Sequence, residues 1–311
     1  MPRVLYYNKQ GDNMKNFDLH MHSHYSKDGE LTPKELIAIA KEKELEVVAL
    51  SDHDCMLGID EMIEEGKIEG IRVIPAIEFS TLFEDGGECH LLGYNFDYKQ
   101  EYFQTIGEVI QKRMDEAFHV RVEKLRAMYP VHIDEEQVLK DAGNENPWFL
   151  MCERMFNDPA HADIEDFREY RKGGKRCDPA PVNFFWDKCQ KGSPLYVHVE
   201  MPSFKETVKR IHDAGGIAVL AHPFRTFYQN EELLEKAIAC GIDGLEAYSN
   251  YHDEEMNRYY ADYAKKHGLL ITCGSDFHGK LKPSIEMGNY GSHVEGKEEI
   301  LQSFLNAIEK R

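Results

Sequence analysis

The sequence predicts an α/β fold, a distorted barrel of about seven strands interrupted by an inserted helical subdomain. Three observations predict it. Short apolar runs alternate with helix-type segments in both the first and last thirds of the chain. Histidine and acidic residues follow these runs one after another, as they do where barrel strands converge on one face. No glycine-rich nucleotide fingerprint follows any strand, which argues against a doubly wound sheet.

The elements follow in order. Residues 1–15 read as a loose leader, with Met14 a possible native start. Residues 16–19 form a short strand ending in the turn His20-Met21-His22. Thr32-Pro33-Lys34-Glu35 is a helix start, with Thr as N-cap, Pro in the first turn and Glu three residues on. Residues 46–50 (EVVAL) are a buried-type strand running into Ser51-Asp52-His53-Asp54, and a helix follows over 59–65. Residues 71–76 (IRVIPA) form a strand leading into Glu78, and 89–94 (CHLLGY) form the next. Residues 99–195 turn rich in Lys, Glu, Arg, Asp and Tyr, and read as a lid-like helical insertion without strong strands. Alternation then resumes: helix 204–214, strand 217–221 (IAVLA), helix 231–240, strand 244–248 (GLEAY), helix 253–267, strand 269–273 (LLITC) and a closing helix 298–309. The barrel is thus expected over 16–98 and 196–311, with its strands parallel.

Composition narrows the function classes. The net charge of −19 repels nucleic acid at long range, which excludes a broad duplex-DNA surface but not a small phosphorylated substrate. No apolar run approaches the roughly 20 residues of a membrane helix. The N-terminal residues lack a secretory pattern, which points to the cytoplasm. The 7 cysteines are scattered without a CxxC pair, arguing against a disulfide framework or a thiolate zinc site.

The informative count is 15 histidines. His20 and His22 stand two apart, so on extended backbone both imidazoles point the same way and can grip one ion. Asp276 and His278 repeat that spacing. His53, Glu78, His90 and His222 fall at or after intervening strands. Imidazole and carboxylate without thiolate suit manganese, iron or zinc. So many candidate ligands exceed the need of one ion, which implies two or three ions with a bridging carboxylate. Clustered ions clamp phosphate oxygens and lower the pKa of a bound water, which suits phosphoester hydrolysis.

These motifs resemble the PHP (polymerase and histidinol phosphatase) family. The matching residues are Asp18-Leu19-His20-Met21-His22-Ser23, Ser26-Lys27-Asp28-Gly29, Ser51-Asp52-His53-Asp54, Glu78, His90, Ala221-His222-Pro223 and Gly274-Ser275-Asp276-Phe277-His278-Gly279. The resemblance implies a distorted (β/α)7 barrel holding two or three metal ions. It assigns His20, His22, Glu78 and Asp276 to one ion, and Glu78, His90 and His222 to a second. Asp28, His53 and His278 go to a third. Asp276, His278, His53 and Glu78 would form the catalytic centre. One extra residue precedes Asp28 relative to the usual Ser-Asp-Gly, and His24 is an alternative ligand there. The insertion, with its closing segment Lys191-Gly192-Ser193-Pro194-Leu195-Tyr196-Val197, is similar to that of stand-alone PHP phosphoesterases. Some of those act on nucleoside 3',5'-bisphosphates, nucleotides or short RNA ends. Length excludes a polymerase-attached domain, and a histidinol-phosphate phosphatase fits less well because of the long insertion.

A second phosphate on the substrate would need a fork-shaped donor, and Arg113, Arg121, Arg126 and Arg225 are candidates. His252 is a candidate for substrate contact or acid catalysis, and Tyr248 and Tyr251 for stacking. Asp52 and Asp54 are expected to orient His53. His119, His132, His161, His198, His212, His267 and His293 match no motif and read as surface or structural. The alternatives are a metal-dependent amidohydrolase and a non-catalytic metal-binding module.

Overall fold

The apolar runs form seven strands: β1 (Phe17–Met21), β2 (Val47–Leu50), β3 (Arg72–Leu82), β4 (Glu88–Tyr94), β5 (Ile217–Leu220), β6 (Gly244–Ser249) and β7 (Leu270–Gly274). The computed structural model describes residues 16–311, apart from residues 27, 84–86 and 144–145 and the side chain of Arg225. The expected leader at 1–15, with Met14, lies outside the described residues. The strands lie side by side in chain order in one mixed sheet. Its first and last strands meet through a parallel bridge between Met21 and Phe277, so the sheet nearly closes into a barrel. His22 N–H donates to the Phe277 carbonyl and Asp276 N–H to that of His20, both at 2.9 Å. This closure brings the first and last motifs together.

The expectation of parallel strands throughout is corrected at β4. It runs antiparallel to both β3 and β5, with Glu78 opposite Leu92 and Tyr94 opposite Ile217. The physical reason is connection length: a parallel crossover needs a dozen or more residues, and residues 83–87 are too few. β3 also runs past the end expected of it, so Glu78 projects from mid-strand rather than following the strand.

Helices intervene between strands as expected. In α1 (Pro33–Glu42), Thr32 Oγ1 accepts from Glu35 N–H and Glu35 Oε2 accepts from Thr32 N–H, completing the capping box. After α2 (Ile59–Glu69), Gly70 at φ +75° ends the helix by donating its N–H to the Gly66 carbonyl. The chain then enters α3 (Glu101–Met128), α4 (Glu135–Ala142), α5 (Pro147–Asn157) and α6 (Ala180–Lys188), which is helical as predicted. α7 (Phe204–Asp213), α8 (Phe224–Phe227), α9 (Glu231–Ala239), α10 (Glu254–His267) and α11 (Lys297–Glu309) belong to the second half of the barrel. Among the described residues, no helix is long and apolar enough to cross a membrane.

The chain divides into two compact units. One ends at Gly107 and resumes at Met201; the other is Glu108–Glu200. The division falls later than the predicted 99–195 because the first turns of α3 pack on the barrel. Phe103 lies 4.5 Å from Phe96 and 6.1 Å from Phe79, ring centre to ring centre. The second unit has its own core, in which Phe156, Phe167 and Phe184 meet edge to face.

Candidate metal centre

The barrel gathers its motif residues at one place from strand ends, from within β3 and β4, and from the turn after β1. His20 is the fourth residue of β1, and His22 lies just beyond that strand. His53 pairs by a backbone bridge with Glu78 of β3. His90 is on β4, His222 follows β5, and Asp276 and His278 follow β7. Asp276 sits at φ +57°, in the left-handed region, a strained placement typical of functional sites.

Glu78 is the hub. Its Oε2 lies 3.1 Å from His20 Nε2, 3.2 Å from His22 Nε2 and 3.3 Å from His53 Nδ1. Its Oε1 lies 2.9 Å from His90 Nδ1 and 2.7 Å from His222 Nε2. Asp276 Oδ1 lies 3.2 Å from His20 Nε2 and 3.0 Å from His22 Nε2. Asp28 Oδ2 stands 3.1 Å from His278 Nε2 and 3.4 Å from His53 Nε2. His24 instead packs its ring against Tyr25, so Asp28 is the group that joins the cluster. Three overlapping sets can each hold an ion: His20, Glu78, His222 and Asp276; His53, Glu78 and His90; and His22, Asp28, His53 and His278. The nine expected ligands are thus brought together. Relative to the sequence assignment, His22 and His222 change sets and His53 joins a second one.

The donor set fits metal. Ligand atoms about 2.0–2.2 Å from a shared ion stand roughly 3–3.5 Å apart, which is the spacing seen here. His20 Nε2 and His22 Nε2 approach to 3.1 Å. His20 gives its Nδ1–H to Glu246 at 2.9 Å, so its Nε2 turns a lone pair into the cluster. His278 likewise gives its Nδ1–H to the Asp276 carbonyl at 2.7 Å. Glu78 Oε2, Asp276 Oδ1, His22 Nδ1 and His53 Nδ1 are buried with no hydrogen-bond partner, which a cation would relieve.

Without ions the cluster perturbs its own protonation. Burial disfavours charge on His53, but Asp28 and Glu78 outweigh it and push its pKa up to about 10. Burial likewise opposes charge on His20, yet Glu246, Glu78 and Asp276 hold its pKa well above the usual value. Burial and the neighbouring His278 bring His22 down to about 4. The carboxyl of Glu78 is buried, and the surrounding imidazoles still hold it well below the usual range.

Several residues support the cluster in ways the sequence did not assign to them. Glu246 is fully buried on β6; besides holding His20, it accepts from His222 N–H at 2.8 Å. Asp18 accepts from Ser275 N–H at 2.9 Å, Ser275 Oγ–H at 2.5 Å and Gly288 N–H at 2.7 Å, tying β1 to the residues after β7. Lys282 Nζ donates to Asp276 Oδ2 at 2.9 Å and to the Tyr251 hydroxyl at 2.8 Å. Asp52 and Asp54 do not orient the His53 ring as expected. Asp52 accepts from Ser23 N–H and Oγ–H at 2.6 and 2.7 Å, and Asp54 from Ser80 N–H at 3.0 Å, so both brace backbone. A signal existed for Glu246 and Asp18: each is an acid flanked by apolar residues inside a buried strand. Nothing comparable marked Lys282.

The expected substrate contacts fare differently. His252 is buried; its Nε2 accepts from Phe224 N–H at 3.0 Å and its Nδ1 faces the Ala247 carbonyl at 3.1 Å. Both nitrogens are committed inside the fold, so the expected exposed ring is instead a buried one that holds backbone. Arg121 is buried in the insertion core, 5.2 Å from the Trp148 ring and 5.4 Å from that of Phe185. It is packing rather than a presented phosphate donor. Arg113 donates to the Glu200 carbonyl at 2.5 Å, and Arg126 pairs with Glu135. The side chain of Arg225 lies outside the described residues. Tyr248 is buried, whereas Tyr251 stands beside His222, 5.4 Å between ring centres.

A buried imidazole–carboxylate cluster on a nearly closed α/β barrel defines a metal-dependent hydrolase. Known proteins place it further. Residues 18–145 match the PHP domain. The chain is 31% identical over 274 residues to a 5'-3' exoribonuclease of Haemophilus influenzae, covering 85% of this chain and 90% of that protein. It is 29% identical over 303 residues to a 3',5'-nucleoside bisphosphate phosphatase of Chromobacterium violaceum, covering 96% and 98%. A candidate metal-dependent phosphoesterase from Bifidobacterium adolescentis shares the fold, with a TM-score of 0.69 over 94% of this chain and 96% of that one at 24% identity. The chain belongs to the PHP family and is a metal-dependent phosphoric ester hydrolase.

Proposed function

We propose that the chain removes a terminal phosphate from a small nucleotide, either a nucleoside 3',5'-bisphosphate or the end of a short RNA, using two or three ions of manganese, iron or zinc. The observation that carries this reading is Glu78, one buried carboxylate whose two oxygens face five imidazoles. That arrangement suits a carboxylate shared between ions. Bound there, such ions neutralise phosphate oxygens and activate water.

The protein's own groups do the rest. Glu246 fixes the His20 ring through its Nδ1–H and keeps the other nitrogen aimed at the cluster. Tyr251 and Lys282 hold the outer oxygen of Asp276, leaving Oδ1 turned inward. Burial of His20, His22, Glu78 and His278 keeps water from competing for their ligand atoms. The partly exposed Lys282 ammonium adds positive charge beside the cluster. In a chain of net charge −19, such local charge favours an anionic substrate.

The test is phosphate release by the manganese-loaded protein from a nucleoside 3',5'-bisphosphate, a mononucleotide, a 5'-phosphorylated short RNA and histidinol phosphate, with ring opening of a cyclic amide followed alongside. Release from a base-bearing phosphoester, lost on chelation, supports the reading. Turnover of histidinol phosphate alone, or of the cyclic amide alone, overturns it.

A further inference from the structure

The three ligand sets are not equally enclosed. The side chains of His20, His22, Glu78 and His278 are fully buried, whereas that of Asp28 is 31% exposed and that of His53 22%. The set of His22, Asp28, His53 and His278 therefore opens to solvent through two of its members. Asp28 also differs from the other ligand carboxylates in what carries it. Glu78 lies within β3, and Asp276 is tied to β1 through its own N–H and the His20 carbonyl. Asp28 stands in the loop between β1 and α1.

That loop is shaped from within. Gly29 N–H donates to the Ser26 carbonyl at 3.0 Å, and Asp28 Oδ1 accepts from Ser26 Oγ–H at 2.8 Å. A Cβ on Gly29 would lie 1.9 Å from the Ser23 carbonyl oxygen, so the turn closes more tightly than a side chain permits. These contacts do not join the loop to His278, whose Nε2 the other oxygen of Asp28 faces at 3.1 Å. Glu30 does. Its Oε2 accepts from the backbone N–H of Lys280, two residues beyond His278, at 2.7 Å. Its Oε1 accepts from Lys280 Nζ at 3.0 Å. The Lys280 side chain is 89% exposed, so this second contact is a surface pair of little strength. Gly279 lets Glu30 seat: it stands at φ +71°, and a Cβ there would lie 2.9 Å from Glu30 Oε2.

We propose that Glu30 is a positioning residue for one ion of the cluster. By latching the Asp28 loop to the backbone beside His278, it sets how these two ligands face each other, and so the affinity of the set they share. That set, open to solvent and carried partly on a loop, fills last and empties first. This rests on the reading of two or three ions above and adds an order of occupancy to it. Turnover that needs the full cluster then follows the free concentration of divalent metal, with Glu30 setting the threshold.

The experiment titrates the metal-free wild type, Glu30→Ala, Glu30→Gln and Asp28→Ala with manganese, counting bound ions per chain from the electron paramagnetic resonance of the free ion. The wild type is expected to show at least two classes of site, the weakest holding one ion. Asp28→Ala, which removes a ligand, is expected to abolish that class and so identify it. Glu30→Ala is expected to weaken the same class alone by about tenfold to a hundredfold. Glu30→Gln, whose amide oxygen can still accept from Lys280 N–H, is expected to bind as the wild type does. Equal melting temperatures of the metal-free proteins check that each variant folds. A single class of sites in the wild type, binding unchanged in Glu30→Ala, equal weakening of every class, or a Glu30→Gln as weak as Glu30→Ala overturns the proposal. A wild type that binds no ion defeats the metal-dependent reading itself, and this inference with it.

Discussion

At the scale of single residues, the account turns on charge held in a small buried volume. Glu78 survives as a buried carboxylate because imidazoles crowd it, and Asp276 because Lys282 and then the His278 and His20 imidazoles face it; the imidazoles keep their orientation through hydrogen bonds at their other nitrogen. Glu246→Gln is therefore expected to weaken metal binding about 10–100-fold, read by titrating the metal-free protein with manganese; undiminished affinity would remove Glu246 from the account. Protons should compete with metal. His53, pushed up to about 10, carries a proton at pH 7 in the metal-free protein, and the carboxylates around His20 shift it in the same direction. Ligation needs neutral imidazole, so loading at pH 7 should release protons and affinity should rise with pH. Calorimetry in two buffers of different ionisation enthalpy reads that release directly. The same shift has a sign for stability: His53 stabilises the metal-free fold fully below its unfolded pKa of about 6.5, and that contribution fades as pH rises through about 10.

The residues legible in the sequence were those whose chemistry is unusual for their place. A His-x-His beyond a strand, or an Asp-x-His beyond another, has little use in packing, and all nine metal candidates meet in the fold. The burial of His252, after β6, and of Arg121, on the insertion helix, was not legible because a polar residue looks the same in sequence whether it faces solvent or the interior. Lys282 was missed because its partners, Tyr251 and Asp276, meet it only through the loop after β7.

At the scale of elements, the site depends on how closely strands approach. A Cβ on Gly274, the last residue of β7, would lie 2.2 Å from both Glu246 Oε1 and His20 Cβ. Gly274→Ala should cost about 1–3 kcal/mol and disturb the His20–Glu246 pair. The expected outcome is a lower melting temperature together with reduced metal content; a normal melt with full metal content would contradict the close fit of β1, β6 and β7. The existence and order of the seven strands were legible because each is a short apolar run. The direction of β4 was not, because ending β3 at residue 76 left a gap long enough for a parallel crossover that the longer β3 removes. The extended reach of β3 was hidden by Glu78, an acidic residue that looks like a strand's end.

At the scale of the whole molecule, the barrel and the insertion have separate cores. Phe184 is fully buried in the second unit, so Phe184→Ala should destabilise that unit by about 3–5 kcal/mol. Denaturation should then show an early transition for the insertion while the metal content of the barrel stays at the wild-type level. Loss of metal with that early transition would show that the two units do not stand independently. The helical character of the insertion was legible from its composition. Its limits were not, because Phe103 packs with the barrel although it lies within a helix that continues into the second unit.

The most direct test of the central claim is phosphate release from a nucleoside 3',5'-bisphosphate, measured against the number of ions bound per chain, for wild type and Asp276→Ala. The account predicts that wild-type turnover rises with occupancy, disappears on chelation and returns when metal is restored. It predicts that Asp276→Ala folds but neither fills the cluster nor turns over. Undiminished turnover in chelator, or from Asp276→Ala, would contradict it.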